Sequence, residues 1–534
     1  MSYRPQSEVQ CHVLTRGFDK DFIMEGEVSD VELHNQDARP ADVEVHNDAP
    51  PPIDVQVANE VTSQEIGDDN NEQGAPSEEL GATNMVRSLI RAAICGEITD
   101  DNEQPNEHAK IFLKLLQEAE KQLYPGCTKA TKVSFIVELF QIKCSTGMSN
   151  RALEAILNIF SRILPKGHCV PDTMEKVQKV VRDLGLNYVK IDACENNCVL
   201  FRKENENLDT CPKCGESRWK TPDDGANDQR GNADGGVDRT NKKRVPRKIL
   251  HYFPLTPRLQ RLYMTASTSS QMRCHKEELV SDGKMRHPAD SKAWKHVDME
   301  YCWFAEDARN IRLGLASDGF NPFGMQNVTY TCWPVILIPY NLPPWLFEKQ
   351  LYWMMSMLIP GKKSPGINID VYLRPLIDEL KDLWENGIDT WYDKVKKNFQ
   401  LHAILLWTIN DFPAYAILSG WSTKGKFACP YCHKDTDYLW LKFGNKHCYM
   451  GHRRFLPSDH PWRMNKVSFN NEVETREAPV PLSGQQVLEQ YETFDQVSFG
   501  KTGSKKRKRD EDERWHNWRK KSIFFSSLTG LLCS

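Results

Sequence analysis

Two acidic residues at the ends of two separate apolar runs are the feature that most constrains this chain. The first run, residues 311–316, is followed by Asp318, and the second, residues 401–409, is followed by Asp411. Carboxylates at the ends of buried strands can be held rigidly side by side, and such a pair suits two Mg²⁺ ions. The two acids therefore indicate metal-dependent chemistry on nucleic acid.

The bulk composition predicts an intracellular protein with several domains. A chain of 534 residues is long enough for about three or four domains. Its mean hydropathy of -0.59 is polar for a fully packed protein, so we expect part of it to be disordered. It has no run of about eighteen apolar residues and no apolar signal-peptide core, which predicts no membrane span. The 16 Cys are more typical of thiols and metal ligands than of disulfides.

The net charge of -4 hides a strong asymmetry along the chain. Residues 26–109 contain only three basic residues among many acidic ones, which predicts an acidic, mostly disordered linker. Residues 110–190 then carry four stretches with helical spacing of apolar residues, which predict a helical bundle. The linker therefore masks a more basic remainder.

Two close pairs of cysteines follow within residues 191–222. Cys194 and Cys198 form the first pair, and Cys211 and Cys214 lie on a Pro-Lys-Cys-Gly knuckle. Four thiols at this spacing suit tetrahedral Zn²⁺, although a zinc ribbon normally has one residue fewer within its first pair. We predict a zinc-ribbon-like module with a structural role, because four thiolates leave no open coordination position.

A basic and aromatic segment lies in residues 223–300, after a loop rich in Gly, Asn and Asp. Basic residues interleaved with aromatic ones can contact phosphates and stack on bases. A solvated helix face explains the same pattern equally well. The candidate nucleic-acid contacts are Lys242, Lys243, Arg244, Arg247 and Lys248.

The elements between the two acids indicate an RNase H-like core. Residues 328–340 have strand composition, and residues 351–359 indicate a buried strand, with a short helix as the alternative. Residues 369–384 have helix periodicity, and Pro375 suggests that the helix begins near that position. With the two acidic strands, the order is strand, strand, strand, helix, strand. We predict an α+β multidomain protein with this core.

Long sequence strings then resemble the plant CACTA (En/Spm-type) transposases. They include residues 312–323, 337–345 and 406–415, and the zinc knuckle at 211–219 belongs to them. The similarity runs from about Phe112 to Phe525. The resemblance implies DDE/D-type transposases with an RNase H-like fold, which bind the ends of an element, cut it free and join it to new DNA with Mg²⁺ or Mn²⁺.

The resemblance also implies roles for particular residues. Asp318 matches the first catalytic acid of the family and Asp411 the second. The family inserts a Cys/His cluster after the second acid, and Cys429 and Cys432 fit its first half. The second half comes from Cys448 and His452 or from a pair that includes His447 or His460. We expect Zn²⁺ there as well, with the fourth ligand open.

The ends of the chain depart from the family pattern. The third acid of the family, a Glu, belongs beyond residue 525, where the tail to Ser534 has no carboxylate side chain. Two carboxylates hold paired Mg²⁺ less well than three, so we expect weak or no strand transfer. Residues 1–25 resemble the last part of a transposase-associated N-terminal domain, so we expect truncation at both ends.

The remaining divisions follow from these motifs. We place the incomplete RNase H-like core at 301–428, the inserted zinc cluster at 429–465 and a polar, basic tail at 466–534. The run Lys505, Lys506, Arg507, Lys508 and Arg509 predicts nuclear localisation. The expected partners are transposon-end DNA and either a second copy of this chain or another transposon-encoded protein. The alternative function is a non-catalytic DNA-binding or interaction protein derived from a transposase.

Overall fold

The computed structural model describes residues 104–183, 188–221, 244–278, 280, 282–322, 330–492 and 517–527. Most of the predicted acidic linker, the predicted N-terminal remnant and the basic run at 505–509 lie outside these ranges. Lys242 and Lys243 lie outside them too. The described part is a mixed α+β structure.

Four helices occupy the segment in which helical spacing predicts a bundle. They are α1 (Glu107–Glu120), α2 (Lys132–Thr146), α3 (Asn150–Ile163) and α4 (Met174–Asp183). A capping box between Thr131 and Ser134 begins α2, because it satisfies backbone N–H groups that a helix start leaves unpaired. Ile136, Leu153 and Val177, from α2, α3 and α4, belong to one apolar core, whereas Ala109 of α1 is buried with Met264 and Trp391.

A six-stranded sheet forms the centre of the molecule. The strands of the described chain are β1 (Val189–Ala193), β2 (Lys248–Tyr252), β3 (Ile311–Ser317), β4 (Trp333–Pro339), β5 (Met354–Ile359), β6 (Ile388–Tyr392), β7 (Lys397–Leu401), β8 (Ala403–Ile409), β9 (Tyr438–Leu441) and β10 (Lys446–Tyr449). The order of strands in the large sheet is β1-β2-β5-β4-β3-β8. Neighbours in the large sheet are antiparallel except β3 and β8, which are parallel. The pairs β6–β7 and β9–β10 form separate two-stranded sheets.

The remaining helices surround this sheet. They are α5 (Thr256–Tyr263), α6 (Ala266–Gln271), α7 (Cys274–Glu277), α8 (Lys292–Glu300), α9 (Cys302–Glu306), α10 (Pro344–Phe347), α11 (Ile369–Glu385), α12 (Phe412–Ser419), α13 (Pro461–Met464), α14 (Gly484–Glu492) and α15 (Ile523–Ser527). Buried residues of α5, α8 and α11 join those of β3, β4 and β8 in one apolar core. Strand β2 and the helices within 256–300 therefore contribute to the central core, in a range where sequence analysis indicated only a loop and a basic segment. No helix among the described residues has the length and apolarity that a membrane span requires.

The crossover helix α11 packs against β8 and begins earlier than its proline suggests. Its first residue is Ile369, so Pro375 lies inside the helix rather than in its first turn. Leu373, Leu376 and Leu380 are buried along one side of the helix. This apolar stripe continues on both sides of Pro375, which explains how burial keeps the helix intact where a backbone N–H is missing.

One irregularity in the β3–β8 ladder fixes its register. Leu313 pairs with Leu405 and Gly314 pairs with Trp407, so Leu406 is an extra residue on β8. Such a bulge shifts every later pair by one position. The last registered pair is Ala316 with Ile409.

The chain returns to this core after a long excursion. Trp421 and Trp518 form an antiparallel bridge, and their rings meet edge to face at 4.8 Å. The backbone N–H of Arg519 donates to the Gly420 carbonyl at 2.7 Å. Residues 422–517, which we call the excursion, therefore begin and end at one place on the core.

Replacing Gly314 with alanine should destabilise the protein. A Cβ at this position would lie 2.4 Å from Cε2 of Tyr340, so the tyrosine ring must move. Overpacking of this kind costs about 1–3 kcal/mol. We expect a lower urea midpoint for Gly314→Ala, and a smaller additional loss when Tyr340→Ala is already present. Gly444→Ala is the control, because its Cβ meets only ordinary contacts at 3.5 Å or more. A midpoint equal to that of the wild type would contradict the close approach.

Stability should fall with acid through His251 in the middle of β2. Burial, and then the charge of Lys190, lower the pKa of His251 to about 4, against 6.5 as its ordinary value. The unfolded chain therefore binds a proton between these values that the folded chain does not, so stability is lost as pH falls from 6.5 towards 4. We expect His251→Leu to flatten the dependence of the urea midpoint on pH in this window. A residual slope should remain from His275, whose pKa burial lowers to about 3. An unchanged slope in His251→Leu would contradict the assignment.

Candidate functional site

The two predicted acids follow two neighbouring strands at the same end of the sheet. The registered pairs of the parallel strands β3 and β8 end at Ala316 and Ile409, and Asp318 and Asp411 each follow two residues later. Neighbouring strands are separated by about 5 Å. Both aspartates are exposed to solvent. The two carboxylates that the sequence singles out therefore follow adjacent parallel strands at the same end.

Local backbone contacts orient both carboxylates. Oδ1 of Asp318 accepts from the backbone N–H of Gly319 at 2.6 Å. Asp411 caps α12, and its Oδ1 accepts from Ala414 N–H at 2.8 Å. Any residue other than glycine at position 319 would place a Cβ 2.4 Å from the indole ring of Trp333. The backbone thus orients both acids without consuming all their oxygens.

The arrangement suits a divalent cation in water more than an internal ion pair. Two exposed carboxylates on adjacent strands provide hard oxygen ligands, which Mg²⁺ and Mn²⁺ prefer. Within the described ranges, no third His, Cys, Asp or Glu joins these two acids in a group of potential ligands. The chain therefore supplies two acidic ligands at this end of the sheet in the part that the structure describes.

The first Cys cluster is assembled as its spacing predicts. Ligand atoms of Cys194, Cys198, Cys211 and Cys214 all lie within 4.8 Å of one another. The sulfurs of Cys194 and Cys214 are 3.5 Å apart. Gly215 has φ +73°, a left-handed conformation that closes the knuckle after the last cysteine. The group could hold a metal ion such as Zn²⁺.

Burial and neighbouring groups shift the pKa values of three of these thiols from their ordinary value. Burial raises the pKa of Cys194 well above its ordinary value, and burial and then Cys214 raise that of Cys198 to about 11. Burial also opposes ionisation of Cys214, but the Glu216 N–H and the Asn196 side chain lower its pKa to about 7. A bound metal ion replaces these protons, since the thiolate is the ligand.

Three of the residues predicted to contact nucleic acid have partners within this module. Arg247 lies 2.9 Å from Glu195 and 3.3 Å from Glu216. The Lys248 ammonium donates to Oδ1 of Asn197 at 2.7 Å. Arg244 pairs with Asp209 at 3.2 Å at the surface. The basic segment therefore ties the Cys cluster to β2, while its role in nucleic-acid binding stays a prediction.

The second predicted cluster is only partly assembled. The Cys432 N–H donates to the Cys429 sulfur at 3.4 Å, and the Arg454 guanidinium donates to the Cys432 sulfur at 3.5 Å. Cys448 lies on β10, and His452 begins a short 3₁₀ segment. Over the described residues, these four potential ligands do not form a metal-binding group. Zinc at this place stays a prediction.

The alternative histidine ligands have other contacts. His447 packs its ring against Trp440 at 4.7 Å, and Nδ1 of His460 accepts from Trp462 N–H at 3.1 Å. The buried Arg454 also donates to the Asp435 carbonyl at 2.8 Å. Sequence reasoning missed Arg454, because a basic residue two positions after a predicted ligand gives no sign that it faces a sulfur.

A buried ion pair holds the returning chain on α11. Lys520 donates to Oδ1 of Asp370 at 2.8 Å, and both side chains are almost fully buried. Asp370 lies in the first turn of α11, and the residues after Lys520 lead into α15, which packs on α11. The partners are 150 residues apart, so no local pattern could have revealed them.

The comparison with known families supports a class of protein for this chain. Residues 282–494 match the model of the transposase family tnp2. The matched segment contains Asp318, Asp411 and the Cys429–Cys432 knuckle. The match supports a transposase family for this chain and therefore a transposase-like protein. No curated protein matches the sequence.

Zinc content should follow the first Cys cluster. We expect Cys211→Ser to lose about one Zn²⁺ per chain, because the four-thiolate site cannot close without it. Inductively coupled plasma mass spectrometry of the purified full chain measures the loss. Cys302→Ser is the matched control, since Cys302 is exposed and outside the group. Cys432→Ser tests the second predicted site in the same assay. Unchanged zinc in Cys211→Ser would contradict the first site.

Proposed function

We propose that this protein is a CACTA (En/Spm-type) transposase that binds transposon-end DNA and uses Asp318 and Asp411 to hold Mg²⁺ or Mn²⁺. The observation that carries the proposal is the register of β3 and β8. Both acids follow the last registered pair of these strands by two residues, within the segment that matches the transposase family. Exposure of both carboxylates leaves this end of the sheet accessible to a DNA backbone.

The sheet supports an RNase H-like core as the catalytic fold. Strands β5, β4, β3 and β8 are adjacent in that order, and only β3 and β8 are parallel within this set. Helix α11 lies between β5 and β8 in the chain. This is the predicted sequence of strand, strand, strand, helix and strand, with the β6–β7 hairpin inserted after the helix.

The residues around the two acids would contribute to the reaction by orienting the carboxylates. The bulge on β8 and the N-terminal cap of α12 fix the direction of Asp411, while Gly319 and Trp333 fix that of Asp318. Asp318 and Asp411 would hold Mg²⁺ or Mn²⁺, which would supply activation of a water or 3′-hydroxyl and stabilisation of the leaving oxygen in an in-line displacement. The Cys194–Cys214 group is proposed to hold a structural Zn²⁺, because four thiolates leave no open position.

The remaining assignments extend the same proposal. A protein that acts on chromosomal DNA works in the nucleus, and the basic run at 505–509 is a suitable localisation signal. Its partners would be DNA ends together with a second copy of this chain or another transposon-encoded protein.

A second candidate is a non-catalytic DNA-binding protein derived from a transposase. The observation in its favour is that no third acidic group joins Asp318 and Asp411 in the part of the chain that the structure describes. Such a protein would hold DNA ends, with or without a metal ion, and leave the backbone intact.

Metal binding at the acids should depend on both side chains. We expect Asp318→Asn and Asp411→Asn each to abolish Mn²⁺ binding at concentrations that saturate the wild type, because neutral amides are weaker ligands than carboxylates. Electron paramagnetic resonance of free Mn²⁺ measures the titration. Asp459→Asn, at an exposed acid away from both strand ends, should bind as the wild type does. Equal binding by all three variants would contradict the site.

Plasmid nicking with the same proteins separates the two candidates. Nicking by the wild type that both active-site variants lose would support the transposase. Mn²⁺ binding without nicking would support the non-catalytic protein.

A further inference from the structure

The hairpin of β9 and β10 presents an aromatic side chain at its tip. Leu441 pairs with Lys446, and the four residues 442–445 form the turn, which we call the hairpin tip. Phe443 lies in this turn with 101% relative exposure. A phenylalanine held wholly in water gains nothing from burial in this chain. Its position suggests a partner that supplies an apolar surface.

The base of the hairpin is fixed by aromatic contacts. Trp440 and His447 are opposite each other, with ring centroids 4.7 Å apart. The Tyr438 ring packs against Phe427, and the Lys426 ammonium lies 5.3 Å from its centroid. Cross-strand pairs of this kind stabilise a two-stranded ribbon that would be marginal alone. The tip is therefore presented from a stiff support.

The charge around Phe443 indicates the chemistry of the partner. Residues 438–449 contain Lys442 and Lys446 and no Asp or Glu. The nearest preceding acid, Asp437, is paired with Arg476 at 2.8 Å. An exposed aromatic ring between two lysines suits bases with their phosphates, because every base offers a face for stacking. Apolar side chains on such elements also enter base steps as wedges.

The same excursion carries further exposed aromatic side chains. Those outside the hairpin are Tyr431, Phe455, Trp462 and Phe469. All four are exposed by more than two fifths of their surface, although the excursion has its own buried residues, Arg454 and Arg463 among them. Tyr431 and Phe455 pack against each other, with ring centroids 5.9 Å apart.

We propose that the hairpin tip is a DNA-contacting wedge. Phe443 stacks on an unpaired base or enters a base step, while Lys442 and Lys446 contact the flanking phosphates. The inference rests on the proposed function, because it takes DNA as the partner. It adds a contact that is independent of the strand-end acids, and so predicts that DNA binding persists when those acids are changed.

A forked DNA duplex with 2-aminopurine at the junction tests the wedge in the full-length protein. Stacking on Phe443 should change the 2-aminopurine fluorescence on binding. We expect Phe443→Ala to bind about tenfold more weakly or worse and to lose the fluorescence change, as loss of one base–aromatic contact predicts. Phe443→Trp should retain both. Val467→Ala is the control, since Val467 is also highly exposed, at 89%, in the same excursion but outside the hairpin.

The two lysines have a separate signature. With Lys442→Gln and Lys446→Gln, the slope of log affinity against log salt should fall by about 0.9 per lysine on duplex DNA. Unchanged salt dependence would show that neither lysine contacts a phosphate and would overturn that part of the proposal.

The outcomes distinguish this proposal from the proposed function. Wild-type binding with an equal affinity of Phe443→Ala overturns the wedge and leaves the transposase proposal standing. No DNA binding by the wild type overturns both. If Phe443→Ala changes the oligomeric state in light scattering but not DNA affinity, the tip contacts a second copy of the chain and the wedge is wrong.

Discussion

The parallel pairing of β3 with β8 changes register by one residue beside Gly314, and the position of the acids depends on that change. If Leu313–Leu405 pairing continued without the bulge, Asp318 would lie opposite Asn410 and Asp411 would face the other side of the sheet. The extra residue on β8 instead gives both acids the same offset from the last registered pair. Bulges are frequent beside active sites because they redirect side chains in this way.

Packing around Gly314 holds the bulge in place. The Tyr340 ring occupies the space that a Cβ would take, and it also packs against Trp407, the first residue after the bulge, at 5.4 Å. The Trp407 indole N–H donates to the Tyr340 hydroxyl at 3.4 Å. One aromatic side chain directly after β4 thus contacts both strands where their register changes. The packing of Tyr340 in the core therefore also affects the geometry of the candidate site.

Local patterns were sufficient for part of the site and insufficient for the rest. The strand-end acids and the four cysteines of the first cluster follow from runs and spacings that extend over few residues, and the structure assembles the four cysteines. Contacts between distant segments cannot be read from such local patterns. Arg247 is paired with Glu195, although its basic neighbourhood suggested phosphate contacts or a solvated helix face. The buried Arg312 of β3, which lies 4.5 Å from the Trp294 ring, has no sequence signal either. The role of a charged residue inside an apolar strand can be assigned only when its partners are known.

The excursion after α12 depends on a different constraint from the acids. It begins and ends at the Trp421–Trp518 bridge, and the buried Lys520–Asp370 pair anchors the returning chain to the start of α11. Removing one partner of a buried pair leaves an uncompensated charge, which is strongly destabilising. The two ends of the excursion are therefore fixed on the core, and residues between them can change without moving those ends. A separately supported hairpin can then contact DNA without disturbing the register on which the acids depend.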